Sequence, residues 1–165
     1  MPATYEPIAT YTLTSSSAPI SFTSIPNTYT DLRLVFSGLS GTTNSAQFGL
    51  RFNSDSGSNY SAGFFYGNAA FYYTQINRDT LNLVDTASVA GIDNARISPW
   101  TIDILSYNSA IWKTVLFKSG QTYWGVLCAG AGTWRSTSAI TQIDLITSAA
   151  FAATTTATLF GILKA

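Results

Sequence analysis

The chain has 165 residues, with eight Lys and Arg against eight Asp and Glu, so its formal net charge is zero. Charged residues make up 10% and hydrophobic residues 46%, whereas an ordinary soluble domain carries about 25% charge; 23 Thr and 20 Ser must therefore solvate much of the surface. The absence of histidine, with one cysteine (Cys128) and one glutamate (Glu6), excludes His-based relays, His-held or thiolate-held metals and an internal disulfide, and zero net charge removes the basic footprint of a nucleic-acid binder.

The length fits one domain. Met1 to Ile20 has neither the basic n-region nor the apolar core of about 7–15 residues that marks a secretory signal. No stretch approaches the ~18 apolar residues of a membrane helix, so neither a signal peptide nor a membrane partner is expected. Residues 1–14 read in two ways. They form an ordinary first strand, or an arm whose Tyr5, Ile8, Tyr11 and Leu13 add as an edge strand to a neighbouring subunit.

Residues 15–165 read as one domain of short strands separated by Gly, Ser, Asn, Thr and Pro. Ile20 and Phe22 begin a segment closed by Ile25-Pro26-Asn27. Leu32, Leu34 and Phe36 then alternate with Arg33, Val35 and Ser37, and Phe48, Leu50 and Phe52 with Gln47, Gly49 and Arg51. Further on, Trp100, Ile102 and Ile104 alternate with Thr101, Asp103 and Leu105, and Lys113, Val115 and Phe117 with Trp112, Thr114 and Leu116. Asn108-Ser109 joins these two segments at hairpin spacing, Ser119-Gly120 is expected to turn the chain again, and Ala129-Gly130-Ala131-Gly132 to reset its direction before Trp134. Ile143 and Leu145 flank Asp144, and Phe160 and Ile162 lie opposite Leu159, Gly161 and Leu163. Arg33, Arg51, Asp103, Lys113 and Asp144 are expected singly on outward faces, where charge discourages edge pairing. No window combines a helical period with good helix formers. The pattern predicts an all-β, single-domain sandwich of jelly-roll type with about ten strands.

Seven aromatics crowd the stretch from Tyr60 to Tyr73: Tyr60, Phe64, Phe65, Tyr66, Phe71, Tyr72 and Tyr73. Side chains alternate faces along a strand, so these rings must project from both sides of a sheet. One side belongs to the core. The other is covered by the domain's own loops, or by a second molecule in a protein–protein interface, or it forms a platform on which tyrosines stack against sugars.

Chemistry-bearing constellations are sparse. Asn53-Ser54-Asp55-Ser56-Gly57-Ser58-Asn59 has the spacing of a calcium loop but a single carboxylate, which reads instead as a polar turn capped by Asx hydrogen bonds. Asp85, Asp93 and Asp103 show no pairing suited to glycoside hydrolysis. Cys128, following Val126 and Leu127, reads as a buried inert thiol. No cofactor, metal or catalytic residue is expected, and the chain is not expected to be an enzyme.

Four segments occur in order: Asp31-Leu32-Arg33-Leu34-Val35, Leu50 to Tyr60, Trp134-Arg135-Ser136-Thr137-Ser138-Ala139-Ile140-Thr141, and Leu159-Phe160-Gly161-Ile162. Together they resemble the small β-rich virion structural proteins of tailed bacteriophages, including cyanophages, some of which are capsid cement or decoration proteins. The resemblance spans nearly the whole chain, rests on turns and strand patterns, and supplies no catalytic residues. It implies a virion protein made in the host cytoplasm, placed on the head surface, bound to the major capsid protein and assembled as a homo-oligomer, a trimer by analogy with jelly-roll modules at three-fold sites. The interface candidates are Tyr60, Phe64, Phe65, Tyr66, Phe71, Tyr72 and Tyr73, with Tyr5, Ile8 and Tyr11 in the arm. The alternative is a tail or fibre component binding a host-surface carbohydrate, with Trp124 or Trp134 as further stacking surfaces.

Overall fold

The computed structural model describes residues 4–41, 46–67, 71–84, 92–121 and 126–163. In chain order the described strands are β1 (Tyr5–Thr12), β2 (Ile20–Phe22), β3 (Asp31–Gly38), β4 (Phe48–Phe52), β5 (Tyr60–Gly67), β6 (Phe71–Arg78), β7 (Leu81–Val84), β8 (Ser98–Leu105), β9 (Lys113–Gln121), β10 (Val126–Trp134), β11 (Ile143–Thr147) and β12 (Thr156–Ile162). There are twelve, against the ten or so expected. They form an eight-stranded sheet ordered β1-β12-β3-β8-β9-β10-β5-β6 and a four-stranded sheet ordered β2-β11-β4-β7, with antiparallel neighbours throughout. The pairing is nested. β1 lies on β12, β2 on β11, and β3 and β4 then receive β8 and β7, while the hairpins β5–β6 and β9–β10 widen the larger sheet.

The two sheets are β-sandwich layers because one face of each carries an unbroken apolar row. Leu32, Leu34 and Phe36 on β3 and Trp100, Ile102 and Ile104 on β8 are buried against Phe48, Leu50 and Phe52 of β4, as their alternation predicts. The sheets meet through rings. Phe48 lies 4.6 Å from Phe36 and 5.3 Å from Trp100, and Phe52 lies 5.5 Å from Trp134. Such pairs add about 0.5–1.5 kcal/mol each beyond the area they remove from water.

Residues 1–14 resolve into β1 from Tyr5 onward, hydrogen-bonded along its length to the chain's own β12, with Met1–Ala3 outside the described residues. Two expected turns are strand interior instead. Ser119-Gly120 belongs to β9, and Ala129 to Gly132 run straight through β10. Glycine serves close approach there: a Cβ on Gly130 would stand 2.4 Å from the Gly63 carbonyl oxygen, and one on Gly132 2.4 Å from Leu81 Cδ1. Lys113 also departs from the expectation of an outward charge. Its place beside Val115 and Phe117 puts it inside with 0% exposure, where its ammonium donates to the carbonyls of Ser109 (2.6 Å) and Ile111 (2.5 Å) and caps the β8–β9 connection. Burial pushes that ammonium below the usual lysine range. Asp144 faces out from its sheet but is covered, and it accepts both bonds from Gln142 Nε2 at 2.9 and 3.1 Å.

Candidate functional site

The register fixes which side chains share the outer face of the eight-stranded sheet. One row crosses all eight strands: Tyr72 opposite Phe65, then Ala129, Lys118, Thr101, Val35, Thr158 and Thr10. At about 4.8 Å between strands the row spans roughly 34 Å. Its β6 end is aromatic, its middle carries a lysine, and its β1 end is hydroxyl, with Thr10 and Thr158 bonded side chain to side chain at 3.1 Å. A second row runs Ala131, Leu116, Asp103, Arg33 and Phe160. Arg33 grips Asp103 with two donors, one at 2.9 Å, while its guanidinium sits 5.3 Å from the Tyr5 ring. The hydrogen bond to Asp103 is the main force holding Arg33 above its ordinary value, working against burial.

This face is open and largely apolar. Tyr72 is 74% exposed, Leu127 69%, Phe65 57% and Leu116 44%. Aromatic side chains bury about 150–250 Å² each, so Tyr72 and Phe65 alone leave roughly 200–330 Å² uncovered, and with Leu127, Leu116 and Ile76 the patch passes the few hundred Å² that a monomer ordinarily shows. Small residues sink its middle. Gly63, Ala129 and Ala131 floor a depression of about 530 Å³ between Tyr72 and Leu116. A second depression of about 490 Å³ adjoins it, sharing Phe65, Thr101, Lys118 and Ala129 and reaching Leu127. Tyr72 lies down over the glycine, since a Cβ on Gly63 would stand 2.9 Å from its hydroxyl.

The expected interface residues thus divide. Phe65 and Tyr72 stand open on the outer face, and Tyr5 joins them at its far end beside Phe160. Tyr60 and Phe64, expected at an interface, are core residues at 0% and 1% exposure. They occupy the alternate positions of β5, and the core takes that face. The Tyr60 hydroxyl accepts from the Phe52 amide (3.0 Å) and donates to the Asp55 carbonyl (3.0 Å), and burial raises its pKa well above the ordinary phenol value. Tyr66 and Ile8 are half-buried, packed against the same core with part of each side chain still open. Tyr73 is exposed but stacks on Phe64 at 5.5 Å, on the inner side of β6, and Tyr11 packs edge-on against Phe22 at 5.0 Å. Phe71 belongs to β6, and its side chain lies outside the described residues, as do Asp85 and Trp124. Trp134 is buried and cannot serve as a stacking surface.

Sequence reasoning missed Leu116, Leu127 and Ile76. The signal was present for Leu116, because the alternation that sends Val115 and Phe117 inward sends it out. Leu127 was hidden by its apolar neighbours Val126 and Cys128, both buried.

Elsewhere the polar groups are structural. Asp55 accepts from Trp134 Nε1 (2.7 Å), the Gly57 amide (2.8 Å) and Asn59 Nδ2 (2.9 Å). Burial would raise its pKa, but these bonds outweigh that and leave it below the ordinary carboxylate value, so the loop is an Asx-capped turn whose carboxylate is already engaged. Cys128 is buried, with its thiol pushed by burial to about 12 and directed at the Leu83 carbonyl 3.7 Å away. Among the described residues no three His, Cys, Asp or Glu side chains gather as a metal site, and no helix is long and apolar enough to cross a membrane. No protein-family model matches the chain, and no curated protein matches it.

Proposed function

We propose that the chain is a structural subunit of a tailed-phage particle, of the capsid cement or decoration type, which docks through the outer face of its eight-stranded sheet. The observation that carries this reading is the open row of Tyr72, Phe65, Leu116 and Leu127 on a rigid sheet whose opposite face is already core. Interfaces favour such aromatic and aliphatic groups and exclude charge, and zero net charge lets like copies approach without repulsion. The nested pairing supports a jelly roll elaborated by the β5–β6 and β9–β10 hairpins, and jelly rolls assembled at three-fold positions support a trimer on the head surface beside the major capsid protein. Many weak contacts, repeated over a lattice, then supply avidity.

The test is sedimentation of the purified chain over a wide concentration range, with imaging of particles carrying a tagged copy. Concentration-dependent trimers and label on the head support the reading. A monomer at millimolar concentration, with label absent from the head, overturns it.

One observation favours a second reading, a tail or fibre component that binds host-surface carbohydrate. The Tyr72 ring lies over Gly63 with most of its surface open, beside Thr101, Asp103 and Lys118 at the rim of the same depression. Binding of host polysaccharide that Tyr72→Phe keeps and Tyr72→Ala loses supports this reading over decoration.

A further inference from the structure

The larger sheet ends in two open edges, and the chain treats them differently. Unpaired backbone N–H and C=O groups along an edge recruit other strands, so edges are ordinarily blunted by proline, charge, bulges or short length. β1 carries Glu6 and Pro7, and its register slips between Pro7 and Ala9. The edge strands of the smaller sheet are short, with three residues in β2 and four described residues in β7. From Phe71 to Ile76, β6 has none of these guards. Its outer edge pairs with no described strand, and this stretch holds neither a charge nor a proline.

What this edge carries instead is apolar. Tyr72 and Ile76 project from the outer face, 74% and 66% exposed, with Thr74 between them, while Tyr73 and Gln75 turn to the inner side. Past Ile76 the register with β5 slips and Asn77 is left-handed at φ 55°, so a straight ladder ends there. Geometry then limits how a strand can be added. A two-fold axis normal to the sheet lays a second β6 antiparallel to the first and keeps outer side chains opposite outer ones, so the axis passes through a residue and not between two. Through Thr74 it sets Tyr72 of each copy opposite Ile76 of the other, and threonine opposite threonine, both favourable cross-strand pairs. Shifting the axis to Tyr73 or Gln75 sets one of the two apolar side chains against Thr74 and breaks the match. Arg78 carries the one charge on the strand. The two copies of Arg78 stand at opposite ends of the ladder, about 27 Å apart by eight residues at 3.4 Å each, and do not repel.

We infer that β6 is a self-pairing edge, through which two copies of the chain join as antiparallel strands about a two-fold axis at Thr74, with Tyr72 of each packed against Ile76 of the other. A second copy fits this edge because its exposed row is its own complement about Thr74 and the chain has no net charge to hold like copies apart. The joined sheet has sixteen strands and ends on both sides in β1, where Glu6 and Pro7 stop further growth, so pairing closes at two. This contact uses an edge and not a face. It is additional to the trimer proposed above and links a subunit of one trimer to a subunit of the next.

Sedimentation reads the edge alone in a Leu127→Ser/Phe65→Ser background, which disables the face. The expected result is a monomer–dimer equilibrium. Its dissociation constant rises at least about tenfold in Thr74→Lys, where two ammoniums oppose each other across the axis, and stays unchanged in Thr12→Lys on β1. Both threonines are exposed, so these substitutions leave the fold intact, which the urea midpoint reports. The register has a covalent test in the same background. Cys128 is 2% exposed, so an introduced thiol is the accessible one. A short bismaleimide should join Thr74→Cys into dimers, its Cβ atoms being about 4.5–5.5 Å apart across the axis, and leave Arg78→Cys uncoupled. A monomer at every concentration, equal dissociation constants with and without Thr74→Lys, or coupling as strong at Arg78→Cys each overturns the proposal. None of these outcomes bears on docking through the outer face, which the Leu127→Ser/Phe65→Ser variant tests by itself.

Discussion

The docking reading predicts how strongly two side chains on the outer face govern association. Replacing Leu127 and Phe65 together by serine removes apolar groups that are 69% and 57% exposed in the free subunit. Full burial of such a side chain contributes about 1.5–3 kcal/mol, so covering the exposed fractions contributes about 1–2 kcal/mol for the leucine and about 0.9–1.7 kcal/mol for the phenylalanine. Their sum, about 2–4 kcal/mol, corresponds to a dissociation constant raised roughly 25- to 700-fold at 1.4 kcal/mol per decade. Sedimentation equilibrium of the parent and the double variant measures that ratio directly. Both sites are solvated in the free subunit, so the urea midpoint of the separated subunit should move by no more than about 0.5 kcal/mol in equivalent stability. Equal association constants for parent and variant refute the assignment of this face to the contact. A large stability loss with association unchanged refutes the claim that these side chains are free.

Gly130→Ala forces a methyl against the Gly63 carbonyl and Phe64 Cβ at 2.4 and 2.6 Å and should cost about 1–3 kcal/mol or more in urea unfolding; parent-like stability refutes the close approach of β10 to β5. Lys113→Met leaves the Ser109 and Ile111 carbonyls without their donor and should lower stability by about 1–3 kcal/mol, read by the same assay, whereas a stabilised variant shows that desolvation of the ammonium dominates. Stability should also fall in alkali. The Cys128 thiol ionises near 9.0 when unfolded and near 12 when folded, so the unfolded state loses its proton first and folding weakens as pH rises from 9 to 12, by at most about 1.4 kcal/mol per pH unit from this group. Cys128→Ala should remove the thiol's part of the slope between pH 9 and 10 and leave the smaller part that the raised tyrosines Tyr29, Tyr60 and Tyr107 contribute, and an unchanged slope there contradicts the burial of the thiol.

What could be read from the sequence was the face that each residue shares with its neighbours two positions away. Alternation sorted Leu32, Leu34 and Phe36 from Arg33 and Val35 correctly, because a strand with one buried face writes its period into the chain. Alternation does not say which set is buried when both sets are apolar. In Phe64-Phe65-Tyr66 either parity serves as core, and only the packing of β5 against β7 and β10 places Phe64 inside and Phe65 outside. Lys113 shows the reverse case. Its parity was plain and its charge argued against it, and the deciding fact was a pair of carbonyls supplied by the loop two and four residues upstream. Gly130 and Gly132 looked like a turn because local sequence does not distinguish a glycine that bends the chain from one that lets a neighbouring strand come near.

The pairing of β1 with β12 also has a bearing on synthesis. A nascent polypeptide reaches residue 155 with β1 and β3 both lacking the strand that lies between them. Their shared hydrogen-bonding edges and the Leu32 side of the core stay unsealed until residues 156–162 have cleared the ribosome. Closure of the sandwich is therefore a late event, and maturation of the fold is governed by the arrival of one seven-residue segment.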